Sequence, residues 1–504
     1  MEKLKSIINS KFLKNSIFWV ILIITIVFLG NMVKLEYSRC TFRMYTNPYM
    51  LEYEHYLVIG RYIVAIFWKL VNILGLSLSQ TYFISYVLGI VSMTLTIYTL
   101  YNMLSKFIKN KFLNVLVATG VILNCFFIDY FIYIEKGIFT LSILLTVLAV
   151  KFLVKFFETN KKRNLVYSFL LLCLSAFSYQ GTVALFVAIA TIFIFKYSNN
   201  IKKFIYNNVI TASIYGLTMG ISYLLVRLVG EQSTSRTSGQ LYILESIKKV
   251  IKGMYNICKD SYGIMPKYLF ALTFILVFCL VTFAIFKYKN NKKNGEVTKS
   301  KKVIFLGYIY ILAACVITSI LPQLVIDTLA IDLSARALYP FASIIALSIV
   351  YLFVNLDFEC KWINKLFIGI LLVFLSIQCY EYNRIIIDHY TLNYVEKNLA
   401  LSIGEEIKKY EDENDIKISK VVFYKDADSK YSYADLKSYG DINERVFRTT
   451  WCRMDILNYY LDRDFTQSFT QNEEYKKEFE SVDYTQFNDK QLIFEDDTLH
   501  LCIY

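Results

Sequence analysis

Charge is scarce in this chain. Only 19% of its 504 residues are Asp, Glu, Lys or Arg, while 56% are hydrophobic. A soluble chain of this size carries about a quarter charged residues, so the composition excludes an ordinary soluble globular protein. Histidine is scarcer still, with three in the whole sequence. The ten cysteines include no CxxC pair, and many sit inside apolar runs, among them Cys125, Cys173, Cys279 and Cys315. Neither a zinc motif nor a disulfide framework is indicated. Cys40, Cys258, Cys452 and Cys502 lie outside those runs, and nothing in their spacing supports a pairing. P-loop, dinucleotide fingerprint and internal repeat are all missing. No nucleotide cofactor and no nucleic-acid partner is expected.

What the chain does have is long apolar runs. Mean hydropathy is +0.44, and the runs recur from about residue 16 to about residue 380. They predict an all-α polytopic membrane protein; a β-barrel would show short alternating segments. About eleven transmembrane helices are expected, near 16–33, 80–104, 112–128, 132–150, 164–178, 181–196, 205–229, 267–286, 303–322, 339–356 and 363–380. The first follows a Lys-bearing start without a small-residue cleavage site and reads as a retained anchor.

Lys and Arg set the expected orientation. "SKFIKNK" (105–111), "KFFETNKKRN" (155–164), "KYSNNIKKF" (196–204) and "KYKNNKKNGEVTKSKK" (287–302) join the basic start at every second connection. These segments, with the N-terminus, are therefore assigned to the cytoplasmic side. The alternation works only if 57–76 does not cross, and Arg61 and Lys69 within it argue the same way. The expected domains are 1–380, the membrane domain with a first outer loop at 34–79, and 381–504, a small extracytoplasmic α/β domain. The latter holds 26 Asp and Glu against 16 Lys and Arg, a balance of −10. In it, 394–410 has helical spacing, 417–424 reads as a strand before turn residues Lys425, Asp426, Ala427 and Asp428, and 491–504 reads as a hairpin around Asp496 and Asp497. No catalytic signature shows there.

The candidate site begins with "MLEYEHYLVIGRYI" (50–63), which gathers Glu52, Glu54, His55 and Arg61 within ten residues. Asn47 and Pro48 read as a helix start. A helix from Pro48 would put Glu54, Val58 and Arg61 on one face and Ile59, Ile63, Ile66, Phe67 and Leu70 on an apolar face against the bilayer surface. Gly60 permits a close approach by another backbone or a ligand. Two readings are open: an interfacial helix whose charges only face water, or a carboxylate base beside a phosphate-holding cation. Three further outer features bear on the choice. "IDYFIYIEK" places Asp129, Glu135 and Lys136 at the start of a span, as a site or as an anchoring ion pair. "SYQG" makes Tyr179 and Gln180 a polar turn, suited to sugar hydroxyls or simply a turn. Arg336 precedes a span, to grip a phosphate or to snorkel.

An amino-terminal anchor, loop carboxylates before Gly60–Arg61, a Tyr179–Gln180 turn and Arg336 before a late span occur here in that order. In this respect the chain resembles the bacterial and phage serotype-converting glucosyltransferases of the type II Gtr kind, over roughly residues 15 to 380. The resemblance implies a GT-C-like membrane fold. It implies a sugar donor linked to polyprenyl monophosphate and an acceptor glycan at the outer face of the bacterial cytoplasmic membrane. It also implies a carboxylate base in the first outer loop. The family's loop carboxylates are often aspartates, whereas glutamates stand here, so Glu52 and Glu54 are both candidates. Sugar, acceptor polymer, linkage and metal dependence are left open, as is a divalent cation for which only carboxylates such as Asp129 could provide. A donor-synthesising enzyme and a donor flippase are the expected pathway partners, and membrane lipids surround the chain. Competing readings are a transporter or flippase for lipid-linked glycans, which predicts pseudo-symmetry and mid-membrane charges, a surface-polysaccharide polymerase, and a non-enzymatic scaffold.

Overall fold

A computed structural model of the chain describes residues 16–34, 37–38, 41–42, 44, 49–229, 243–288, 299–320, 335–356, 360–427, 436–437, 442–484 and 486–503. It is mostly helical, with one small sheet near the C-terminus. The described residues fall into two compact units, 1–33 with 50–383 and 34–49 with 384–504.

The first unit is helical throughout. Its elements are α1 (Ser16–Leu29), α2 (Tyr49–Val58), α3 (Tyr62–Ile73), α4 (Leu78–Leu104), α5 (Lys111–Ile122), α6 (Lys136–Thr159), α7 (Lys162–Ser178), α8 (Ala184–Lys196), α9 (Ile201–Val229), α10 (Ile243–Asp260), α11 (Leu269–Lys287), α12 (Lys301–Ile320), α13 (Ile344–Asn355) and the start of α14 (Lys361–Asn414). Among the described residues seven helices are long and apolar enough to cross a membrane: α1 with its 3-10 extension to Val33, α4, α6, α9, α11, α12 and α14. Each of the eleven expected spans does meet a helix, but several of those helices are short. α5 and α13 have twelve residues each and α8 has thirteen. At 1.5 Å per residue that is roughly 20 Å, against a hydrocarbon core of about 30 Å.

The short helices form the interior. Every residue of α13 is buried, as are nearly all of α8. An apolar helix with no polar face must be surrounded by other helices or by lipid, and these are surrounded by helices. α9 shows the opposite case: Ile205, Val209, Leu217, Leu224 and Leu228 are exposed, an apolar surface suited to acyl chains. The span expected at 112–128 ends early. α5 stops at Ile122, Leu123 leaves helical geometry, and the Asn124 side chain accepts from the Phe126 amide at 3.0 Å. The chain then makes only a helical turn, Ile128–Phe131, before α6 starts at Lys136. The next span is therefore shifted from 132–150 to 136–159. The segment 57–76 contains no helix of spanning length. α3 buries Val64, Ala65, Trp68 and Val71 and exposes Ile66, Leu70 and Ile73.

The second unit is built on the latter part of α14, β1 (Lys420–Lys425), α15 (Arg453–Leu461), β2 (Thr466–Ser468), α16 (Glu473–Glu480), β3 (Leu492–Glu495) and β4 (Thr498–Ile503). The sheet order is β2-β1-β4-β3, with β1 parallel to both neighbours and β3–β4 an antiparallel hairpin. Asp496 turns that hairpin with φ +49°. Successive side chains of a strand point to opposite faces. Val421 and Phe423 accordingly enter one apolar core, with Leu399, Ile403 and Ile407 of α14, while Val422 and Tyr424 enter another with Phe479. Phe42 packs into the first core, which is why 34–49 goes with this unit although the sequence grouped it with the rest of the first outer loop. A buried ion pair, Arg445 Nε to Glu396 Oε1 at 3.0 Å, ties the chain after β1 back to α14, and the Val446 and Phe447 amides donate to the same carboxylate. The expected helix at 394–410 lies within α14, which continues without interruption from the last apolar run. Asp426 is buried and accepts from the Tyr484 amide; Asp428 lies outside the described residues. Cys258, Cys452 and Cys502 form no disulfide among the described residues, and Cys40 lies outside the described residues.

Candidate functional site

The site starts from a helix end. α2 finishes at Val58; the Gly60 amide then donates to Leu57 O at 3.1 Å and the Arg61 amide to Tyr56 O at 2.8 Å. This pair of bonds, with Gly60 at φ +77°, is the Schellman arrangement that glycine permits. It corrects one expectation. Glu54, Val58 and Arg61 do not share one helical face, because the helix ends between Val58 and Arg61 and Arg61 caps the start of α3. The expected helix start at Asn47 and Pro48 lies outside the described residues. Gly60 does take a close approach: a Cβ there would lie 2.4 Å from Val226 Cγ2 of α9. The Gln180 side-chain amide holds the turn from another side, donating to Ile59 O at 3.3 Å and Gly60 O at 3.2 Å.

Arg61 leaves this turn into a set of aromatic rings. Its guanidinium carbon lies 4.8 Å from the Tyr179 ring centroid, 5.6 Å from Phe139 and 5.9 Å from Tyr56. A cation over several ring faces gains electrostatically while remaining largely out of water. Arg336 reaches the same tyrosine, with its guanidinium 5.9 Å from the Tyr179 ring and 4.9 Å from Tyr133. Its Nε donates to the Tyr179 hydroxyl at 2.7 Å, and its Nη1 donates to Tyr133 Oη at 2.8 Å and Asp129 Oδ1 at 3.0 Å. Burial alone would lower the Arg336 pKa, but Asp129 and the Tyr133 and Tyr179 hydroxyls outweigh it and raise it well above the ordinary value.

Glu135 and Lys136 stand beside this group. Glu135 is fully buried, and its Oε1 accepts from the Tyr56 hydroxyl and the Trp68 indole, both at 2.9 Å. Its Oε2 has no hydrogen-bond partner among the described residues. Lys136, also fully buried, puts Nζ 3.5 Å from the Tyr82 ring centroid. Asp129 makes an ion pair with Arg336.

Six sequence-derived candidates, Arg61, Asp129, Glu135, Tyr179, Gln180 and Arg336, thus form one connected cluster, with Lys136 next to it. Tyr179 and Gln180 spend their polar groups on Arg336 and on the Gly60 turn. Glu52, Glu54 and His55 lie on α2, Glu52 half-buried and Glu54 and His55 exposed. The sequence reading missed Tyr56, Trp68, Tyr82, Tyr133 and Phe139. Their only sequence signal is aromatic density around charged residues, as in "FFIDYFIYIEK". Among the described residues no three His, Cys, Asp or Glu side chains gather as a metal-binding group.

The cluster lies at one end of the bundle, where α4, α6 and α8 begin and α7 ends. The Lys-rich connections 105–111, 155–164 and 196–204 lie where α4, α6 and α8 end. Compared with known protein families, curated proteins and solved structures, the chain matches none.

Proposed function

We propose that this chain is a bacterial membrane glycosyltransferase. In this reading it moves a hexose from polyprenyl phosphate to a cell-surface or lipid-linked glycan at the outer face of the cytoplasmic membrane. The observation that carries the reading is the cluster itself. Two arginines are fixed on one tyrosine at the bundle end opposite the Lys-rich connections, with an exposed carboxylate helix leading into them. Arginine's planar fork suits a phosphate, and a cation held over rings is largely desolvated before any ligand arrives.

The reaction is a single displacement. An acceptor hydroxyl oxygen bonds to the anomeric carbon as the bond from that carbon to the phosphate oxygen breaks. The hydroxyl proton passes to a carboxylate base, and the electron pair leaves with polyprenyl phosphate, whose charge an arginine stabilises. Glu54 is the base we favour. It faces solvent, where an acceptor arrives, whereas Asp129 is tied to Arg336 and Glu135 is enclosed. Arg61 is the phosphate holder. Arg336, already committed to Asp129, Tyr133 and Tyr179, positions the Tyr179 ring that Arg61 rests on. The second unit, with no catalytic constellation among its described residues, serves acceptor binding in this scheme. The donor is made and flipped outward by other enzymes.

The test is direct. Purified protein is incubated with polyprenyl-phosphate hexoses and a glycan acceptor, with and without EDTA, and released polyprenyl phosphate is measured. Release that depends on acceptor is expected. Donor movement across proteoliposomes without any release would replace the transferase reading with a flippase.

A further inference from the structure

The other end of the bundle holds a second charged site. α6 ends at Thr159, Asn160 turns the chain with φ +52°, and α7 starts at Lys162. Between these ends and the first turn of α9 lies a cavity of about 720 Å³. Its polar lining is Asn160, Lys162, Lys202 and Lys203, and it includes no carboxylate. Lys203 Nζ donates to Asn160 Oδ1 at 3.3 Å. No carboxylate pairs with Lys162, Lys202 or Lys203 among the described residues. Glu158, the nearest acid in sequence, is taken by Lys106 and the Tyr197 hydroxyl.

Three ammonium groups around one cavity repel each other unless an anion sits among them. The first turn of α7 adds to the positive field, for its N-cap, Lys161, makes no side-chain cap and leaves amides unsatisfied. The remaining walls are apolar: Phe156, Leu165, Val166 and Tyr206. Below them α7 and α9 continue as exposed apolar surface through Leu170, Ile205 and Val209. Inorganic phosphate would make no use of that strip, but acyl chains would cover it.

We infer that this cavity binds the phosphate of an anionic phospholipid, with the acyl chains lying along α7 and α9. Basic pockets between membrane helices take such headgroups by paired charge and hydrogen bonds. The inference is independent of the transferase reading, since it concerns the opposite end of the bundle and its test measures no turnover.

The full-length protein in a neutral detergent is titrated with phosphatidylglycerol and with phosphatidylcholine, and bound lipid is counted by native mass spectrometry. Phosphatidylglycerol should bind in preference. Lys162→Gln, Lys202→Gln and Lys203→Gln should each weaken it about fivefold, and the three together about a hundredfold. The control triple Lys109→Gln, Lys111→Gln and Lys302→Gln, at the same end but outside the cavity, should leave it unchanged. Excess inorganic phosphate should not displace the lipid. Equal binding of phosphatidylcholine, or an equal loss in the control triple, would overturn the inference. Displacement by inorganic phosphate would make the cavity a free-phosphate site and overturn the lipid assignment. Should the cavity triple fail to fold, photoreactive phosphatidylglycerol on the unmodified chain decides the matter: cross-links must fall in 156–170 or 202–209, and cross-links elsewhere sink the proposal.

Discussion

At one end of the bundle the cations are two arginines and a lysine sunk among aromatic rings; at the other they are lysines, with Arg163, on the surface. Lys136 is fully buried on Tyr82 and Arg336 is bonded to an acid and two tyrosines, whereas Lys161, Lys162 and Lys202 are exposed. Surface lysines cost little to place and contribute at most about 1 kcal/mol in an ion pair. Buried charges cost several kcal/mol each in lost hydration, recovered only where partners are well arranged. The buried end is thus held in one geometry by its own partners. The exposed end keeps charges that an anion can collect.

The largest effect concerns which end faces outward, and it is all or none. A membrane-impermeant thiol probe on intact cells should label a cysteine introduced at Ser235 or Thr470, above the native background, and should miss one at Asn294. Labelling at 294 would exchange the two ends and remove the outward site. Next is the base. Glu54→Gln should slow transfer by about two to four orders of magnitude, with Glu52→Gln milder because Glu52 is half-buried. If both variants express well and transfer normally, α2 is only an interfacial anchor. Third is the enclosed pair. Asp129→Asn leaves Arg336 without its carboxylate and should cost about 3 kcal/mol, read as a lower unfolding midpoint in detergent. An unchanged midpoint would mean that the site end is no more constrained than the lysine end.

Much of this was legible in sequence, for identifiable reasons. Apolar runs located the helices, because burial in lipid or protein demands them wherever they fall. The hairpin around Asp496 showed because turn chemistry is local. Arg61, Asp129, Tyr179 and Arg336 were picked out since polar groups beside apolar runs are rare enough to notice. Their partners were hidden. Glu135 meets Tyr56 and Trp68 only because α2 and α3 fold back on α6, a long-range outcome that no periodicity reports. In a chain with 41 tyrosines, one tyrosine ring carries no individual signal. α14 was read as two helices because its polarity changes near Glu381. Backbone hydrogen bonding is indifferent to that change, and no proline interrupts the helix. Gly60 was read as a place of close approach, which it is, but not as the end of a helix.

That glycine supplies the smallest of these effects and the sharpest probe of how tightly the site end is built. A Cβ at position 60 meets two separate objections. The backbone sits at φ +77°, which an L-residue adopts at a cost of about 1 kcal/mol. The added carbon would also lie 2.4 Å from Val226 Cγ2 and 3.3 Å from Gln180 Nε2. The Gln180 amide can shift at the end of a flexible side chain, but Val226 is held on α9 and branches at its own Cβ, so it cannot swing clear. Gly60→Ala should therefore destabilise the protein by about 2 kcal/mol, combining the backbone cost with the clash. Val226→Ala removes the clashing methyl and leaves the backbone cost in place. In the double variant roughly half the loss should return, a coupling of about 1 kcal/mol between positions distant in sequence. Unfolding midpoints of the two single variants and the double variant measure that coupling. Simple additivity would mean that α9 does not press on the Gly60 turn, and that Arg61 is aimed by the Schellman turn and Gln180 alone.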